Sequence, residues 1–375
     1  MDTISTGIGG ALLARALPAG KAGPAAVWAV TLGSVISDAD VVADFLSRDP
    51  LAVLTVHRGF THSLVGVAIM APLAALLLRR FTPDKNFRRL LALVTLGLLW
   101  HLFTDLATSW GTMVFYPFSR ERVVWDLMFI VDFIFSAILL FPHVLAWIYA
   151  ARPGALARAC ASWAALVAFS ALVIRLASPL YGVGFDWLLF ALLSLGLAGL
   201  LLAPALRGWG FRQSPAAFCR VGVVALVAYY GLCAGTHAAA LAQVNRFAAA
   251  QGVEVKALAA LPQQLSPFRW SGLVLTPQGV YQSWFNVLAA DSPRFDFFPI
   301  ADNSFIARAE ALPLVKTYLW FARFPAVRYR SVGQLRVVEY SDRRFSTPPA
   351  RNSPFVLRVV FGARGEVLSY GFERR

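Results

Sequence analysis

The stretch Phe185-Asp186-Trp187-Leu188-Leu189-Phe190-Ala191-Leu192-Leu193-Ser194-Leu195-Gly196-Leu197-Ala198-Gly199-Leu200-Leu201-Leu202-Ala203-Pro204-Ala205-Leu206 carries one ionisable side chain, Asp186, at its start. At ~1.5 Å rise per residue, about 20 such residues cross the hydrocarbon layer of a bilayer. Phe129–Ala150, Leu156–Ala177 and Phe218–Ala242 have the same character. Shorter apolar runs precede them at Ala25–Ile36, Leu64–Leu78 and Leu90–Ala107, with Ile4–Leu17 as a half-length helix. One short apolar run fits the core of a soluble protein, but such a succession does not. The expected fold is mainly α: a polytopic transmembrane helical bundle of about seven or eight helices, the first ones short, with a small C-terminal β-rich soluble domain.

Composition agrees. Of 375 residues, 58% are hydrophobic and 14% charged, against ~45–50% and ~25% in a soluble domain. Aromatic content of 13% excludes a disordered chain. The net charge of +14 is carried by 30 Arg and 4 Lys against 20 carboxylates. In a membrane chain such an excess is first a topology signal, and only then a hint of anionic partners. Cys160, Cys219 and Cys233 all lie in apolar stretches and give neither a disulfide framework nor metal-ligand spacing. Met1-Asp2 lacks the basic leader of a cleavable signal peptide.

If the spans alternate, Arg15, Lys21, Arg79, Arg80, Lys85, Arg88, Arg89, Arg152, Arg158, Arg207, Arg212 and Arg220 fall on one side. The opposite connectors hold Arg48, Arg58, Arg120 and Arg122 among the carboxylates Asp38, Asp40, Asp44, Asp49, Glu121 and Asp126. The positive-inside rule puts the first group in the cytoplasm and everything after residue 245 on the outer side, which in a bacterium means the periplasm. Three parts follow: residues 1–150 as membrane-embedded helices, 151–245 as further spans, and 246–375 as a periplasmic β-rich domain. Val327–Arg330, Leu335–Tyr340 and Phe355–Phe361, between Gly and Pro punctuation that includes Pro354, read as antiparallel strands. That last part has no His or Cys and only nine carboxylates, so no chemistry is assembled within it.

The chemistry concentrates in Asp38-Ala39-Asp40, His57-Arg58-Gly59-Phe60-Thr61-His62-Ser63 and His101-Leu102-Phe103-Thr104-Asp105. Three of the five histidines fall there. His101 and Asp105, four apart, share a helix face with Cβ atoms roughly 5–6 Å apart, which suits two ligands of one ion. The bland alternative is an Asp–His hydrogen bond that satisfies two polar groups between helices. Depth argues against it. His101 lies about 17 Å along its helix from Leu90, inside a ~30 Å hydrocarbon layer. Ionisable groups at such depth are costly and mark a function or a water-filled cavity. Asp40, His57, His62, His101 and Asp105 are the expected ligands, of one or two divalent ions. Zn²⁺ is the first choice, with Mn²⁺ or Fe²⁺ as substitutes. Such an ion, with an open position, lowers its water's pKa to ~7 and supplies a hydroxide nucleophile. Asp38 is favoured as the carboxylate that stays off the metal and acts as base, although spacing does not separate it from Asp40. Arg58 has the planar fork that clamps an anion.

These segments resemble the YdjM-like family of bacterial membrane-bound metal-dependent hydrolases. The resemblance rests on residues 33–40, the heptad 57–63 and residues 101–105, followed by Ser109-Trp110-Gly111-Thr112, Tyr116-Pro117-Phe118-Ser119 and Phe129-Ile130-Val131-Asp132. It covers roughly residues 1–150 and implies an inner-membrane hydrolase using a divalent metal. Two departures stand out: Ser5-Thr6-Gly7 replaces the family's Thr-His pair in the first helix, and Ser37 replaces a proline.

The leading reading is a metal-dependent hydrolase acting on a phosphoester or lipid-linked substrate through a metal-bound hydroxide. The competitors are a non-catalytic metal-binding membrane protein and a transporter with a His/Asp cluster. Asp126 and Asp132, with Thr61 and Ser63, are candidates to orient ligand histidines from behind. His143 and His237 each stand alone and read as satisfied core residues or cavity liners. Membrane lipids are the expected partners. The abundant Trp and Phe read as lipid-facing belts, so no nucleic acid is expected.

Overall fold

The computed structural model describes residues 1–18, 23–47, 51–181, 186–346 and 355–372. Lys21, Arg48, Asp49, Phe185 and Pro354, used above, lie outside the described residues. Ten helices come first: α1 Thr3–Ala16, α2 Pro24–Ile36, α3 Asp40–Leu46, α4 Ala52–Thr55, α5 Leu64–Phe81, α6 Phe87–Leu106, α7 Phe133–Ile148, α8 Ala155–Tyr181, α9 Trp187–Leu206 and α10 Pro215–Gln251. Among the described residues six segments are long and apolar enough to cross a membrane, and α7 is a shorter apolar helix. The polytopic bundle expected from the apolar runs is therefore present.

Caps set the helix boundaries more sharply than hydropathy does. Asp132 accepts from Ile134 N and Phe135 N, so α7 begins four residues inside the apolar run at Phe129. Ser63 caps α5, Asn86 caps α6 and Asp186 caps α9 in the same way. α10 starts at Ser214-Pro215 and ends at Gly252, whose φ of +60° closes the helix. Its 37 residues correspond to about 55 Å, well beyond a ~30 Å hydrocarbon layer. The surplus turns bury Val244 and Ala248 against Ala260, Trp270 and Val274 of the C-terminal domain.

That domain holds two antiparallel four-stranded meanders. The first is β1 Ala257–Pro262, β2 Arg269–Leu275, β3 Gly279–Asn286 and β4 Asp296–Pro299. After α11 Ser304–Glu310 and α12 Pro313–Phe321 comes the second: β5 Pro325–Val332, β6 Leu335–Asp342, β7 Leu357–Phe361 and β8 Val367–Phe372. β5 and β6 pair Val327 with Tyr340 and Tyr329 with Val338. Arg343 Nε donates to Gln282 Oε1 at 2.7 Å and thereby ties the end of β6 to the first sheet.

Two glycines decide how closely the bundle packs. A Cβ on Gly33 of α2 would lie 2.4 Å from the Val94 carbonyl of α6, and one on Gly97 would lie 2.2 Å from the Val30 carbonyl. With hydrogen at both positions the two backbones touch, as small residues permit between membrane helices. This contact sets the spacing of the site described next.

Candidate metal centre

Three helix ends bring the polar residues together. α2 closes in a short 3-10 turn, Ser37–Ala39, that carries Asp38 and leads into α3 at Asp40. His57 and Arg58 lie between α4 and a second 3-10 turn, Phe60–His62. Arg58 takes a φ of +59°, and its backbone is held on both sides. Its N–H donates to Asp40 Oδ2 at 3.2 Å, and its carbonyl accepts from Met113 N at 3.0 Å. His101 and Asp105 are one turn apart near the end of α6 and fully buried.

The tautomers follow from the partners. His101 Nδ1 is 2.6 Å from the Ser34 carbonyl oxygen, which can only accept, so Nδ1 carries the proton. In the neutral ring Nε2 then offers a lone pair. His62 Nδ1 is 2.9 Å from Thr61 Oγ1, and the Thr61 hydroxyl donates to Asp40 Oδ2 at 2.9 Å. Nδ1 of His62 is thus the protonated nitrogen, leaving its Nε2 as the second lone pair.

Those two Nε2 atoms face each other at 3.0 Å. Asp38 Oδ1 is 3.3 Å from that of His62 and 3.4 Å from that of His101. Asp105 Oδ2 is 3.3 Å from His62 Nε2 and 3.6 Å from His101 Nε2, and this buried oxygen has no hydrogen-bond donor. With both rings neutral, these four electron-pair donors have no proton to share and repel one another unless a cation lies between them. Ligands about 2.0–2.1 Å from a tetrahedral ion are roughly 3.3–3.4 Å apart, close to the 3.0–3.4 Å spacings among Asp38, His62 and His101. Asp38, His62 and His101 form one group that could hold a metal ion, and Asp40, His57 and His62 form another. They share His62 through opposite nitrogens.

Asp105 is also the electrostatic anchor. Its Oδ1 accepts from Arg58 Nη2 at 3.0 Å and from the Met1 amino group. Arg58 Nη1 donates to Thr108 Oγ1 at 2.8 Å. The guanidinium is therefore turned inward and buried, committed to Asp105. Thr3 donates to the outer oxygen of Asp38. The side chains of His57 and Asp38, 17% and 10% exposed, are the open edges of an otherwise closed cluster.

Not every sequence candidate reaches the cluster. Ser63 Oγ accepts from Gly66 N at 2.9 Å and donates to the Phe60 carbonyl, serving α5 as its cap. Asp132 caps α7 and accepts the Tyr229 hydroxyl at 2.7 Å. Asp126 makes a two-pronged pair with Arg323 of the C-terminal domain, 3.0 Å on each prong. His143 bridges Arg15 and the Ile8 carbonyl, while His237 packs on Trp270. Conversely, the Ser34 carbonyl, inside the motif 33–40, and Thr108, outside any motif, take part although neither is a sequence candidate for the site.

The C-terminal domain roofs the loop that bears His57. Trp110 inserts between Phe321, Phe345 and Phe355, with ring centroids 5.1–5.8 Å away. Its ring also stands edge-on to His57 at 6.4 Å. Arg344 donates to the carbonyls of Ser109 and Phe321 and pairs with Asp342 at 2.6 Å. Arg122 gives hydrogen bonds to the carbonyls of Gly111, Leu54 and His57. Burial, and then repulsion from Arg344, Arg58 and Arg120, push the Arg122 pKa down.

A bundle of apolar helices enclosing a His/Asp cluster defines an integral membrane protein with a candidate metal centre. Residues 1–178 match the YdjM inner membrane protein family. The first 178 residues are thus YdjM-like, and the match contains every residue of the cluster while stopping before α9, α10 and the C-terminal domain. The chain is also 31% identical over 131 residues to the uncharacterized protein YfhP of Bacillus subtilis (strain 168). That alignment covers 34% of this chain and 39% of YfhP, so less than half of the relative's length is spanned. No solved structure matches.

Proposed function

We propose that this chain is a divalent-metal-dependent hydrolase of the bacterial inner membrane, with its site at the membrane surface that faces the periplasm. The single observation that carries the reading is the pair of Nε2 atoms of His62 and His101, 3.0 Å apart, with Asp38 and Asp105 beside them. His62, His101 and Asp38 are the ligands of one ion, Zn²⁺ before Mn²⁺ or Fe²⁺, with the Asp105 carboxylate beside the two imidazoles. When bound, such an ion supplies Lewis acidity and an activated water.

The chain's own residues do the rest. Asp40 and Thr61 hold His62 from behind, fixing the tautomer that a ligand needs. Asp40 Oδ1 also accepts from His57 Nδ1 at 3.0 Å, which leaves His57 Nε2 as the proton acceptor at the open edge. A second ion on Asp40, His57 and His62 would have to strip the Nδ1 proton from His62, so one ion is favoured. The two aspartates thereby take opposite parts from those first expected: Asp38 touches the ion and Asp40 positions the imidazoles. Arg58 neutralises Asp105 instead of clamping substrate.

The decisive experiment is metal analysis of purified wild type and His101→Ala in detergent, followed by a panel of phosphoester substrates. Stoichiometric metal with turnover, both lost in the variant, supports the hydrolase. Metal without turnover favours a structural ion, and metal uptake into vesicles favours a transporter. Alkaline phosphatase fused after Arg375 should be active if the C-terminal domain is periplasmic, and an inactive fusion overturns that orientation.

A further inference from the structure

Five guanidiniums crowd the junction between the bundle and the C-terminal domain. Arg58 pairs with Asp105, Arg323 with Asp126 and Arg344 with Asp342. Among the described residues Arg120 and Arg122 have no carboxylate partner. Arg122 spends N–H groups on three backbone carbonyls, and its Nε–H is buried with no acceptor. Both cations lie over the ring of Trp320, Arg120 at 4.8 Å and Arg122 at 5.3 Å. Trp320 remains 39% exposed, and Arg122 reaches the carbonyl of His57 at 3.3 Å. Among the described residues, positive charge without a carboxylate partner therefore lies at the backbone of His57, beside the open edge of the metal centre.

The loop leading to Arg120 is apolar where a water-facing loop would be polar. Phe118 is 87% exposed and Phe115 53% exposed. Leu64 N, at the head of α5, donates to the Val114 carbonyl at 3.0 Å, so this loop lies level with the end of a membrane span. Exposed aromatic rings at that level belong to the bilayer interface.

We propose that Arg120, Arg122 and Trp320 form a binding site for the phosphate of an anionic membrane lipid headgroup, with Phe115 and Phe118 seated in the bilayer beside it. This deepens the hydrolase reading and rests on it for its meaning: the substrate class is a phosphate-bearing lipid that reaches His57 and the ion from the membrane. Arg58 cannot serve as this clamp because Asp105 already holds it. Trp320 belongs to α12, so the C-terminal domain supplies one of the three residues of the site.

The test is native mass spectrometry of the full chain released from micelles containing phosphatidylglycerol, phosphatidylcholine or inorganic phosphate. Wild type should retain phosphatidylglycerol in preference to phosphatidylcholine. R120Q, at an exposed position, should retain it about fivefold less, and R120Q/R122Q roughly 30-fold less. F118S should weaken lipid retention while leaving the metal content unchanged. Equal retention by wild type and both arginine variants overturns the proposal. So does inorganic phosphate that displaces the lipid at equal concentration, which would make the ligand a free anion. Metal content measured in the same samples separates the two readings. Lipid retained by a metal-free wild type sinks the hydrolase and not the lipid site, whereas bound metal with unselective lipid retention does the reverse.

Discussion

His101 Nδ1 reaches the Ser34 carbonyl oxygen at 2.6 Å across the contact of α6 with α2. That bond exists because Gly33 and Gly97 let the two backbones touch. Gly97→Val places carbon where the Val30 carbonyl stands, 2.2 Å from a Cβ, so the helices must part. The expected cost is about 1–3 kcal/mol from overpacking, together with loss of bound metal. Gly196→Ala is the control, since nothing lies within 4 Å of its added Cβ; it should leave melting temperature and metal content at or above wild type.

Asp40 and Asp38 are separable by degree. Asp40→Asn removes the acceptor behind His62 and His57 but no donor to the ion, so metal affinity should fall about 10–100-fold. Asp38→Asn removes a ligand and should fall further. Titration against a fluorescent chelator ranks them, and a larger loss for Asp40→Asn would reverse the assignment.

Arg58→Gln leaves the buried Asp105 carboxylate without its guanidinium. Breaking a buried pair on one side costs about 3–5 kcal/mol. The cost should appear in full after chelator treatment and shrink when metal is restored, because the ion then shares the Asp105 charge. Thermal unfolding in detergent with and without chelator measures both.

Trp110→Ala empties the socket between Phe321, Phe345 and Phe355. A core aromatic lost in this way costs about 3–5 kcal/mol, and limited proteolysis should release the C-terminal domain sooner. Cleavage at the wild-type rate would show that the domain is held mainly elsewhere.

Ser63→Ala deletes the cap of α5 and should cost about 1 kcal/mol. Metal content should not change, because Ser63 Oγ is bonded to Gly66 N and the Phe60 carbonyl and to nothing in the cluster. A drop in bound metal would restore Ser63 as a residue that orients the histidines.

The sequence was most informative where the signal is local. Apolar runs located the spans, and the alternation in Leu335–Tyr340 located a strand. Boundaries were missed where a single polar atom decides them: Asp132 delays α7 until Phe133, and α10 runs past Ala242 because its later turns bury Val244 and Ala248 on a sheet. Of the named site residues, Asp38, Asp40, His57, Thr61, His62, His101 and Asp105 do meet, whereas Asp126 and Asp132 turn to partners far along the chain. Nothing in the residues around Asp126 announces Arg323, nearly 200 positions later.

Hydropathy, charge and residue type alone settled that this is a membrane bundle carrying imidazoles and carboxylates at one end, because transfer into hydrocarbon and ionisation are properties of single side chains. Which nitrogen of each ring faces the cluster, and that Arg58 is consumed by Asp105 while Arg122 meets carbonyls and no carboxylate among the described residues, were decided only by the tertiary structure. Hydrogen-bond direction and charge pairing depend on atoms from distant segments, and helix contacts as narrow as Gly33 against Gly97 determine which of those atoms can meet.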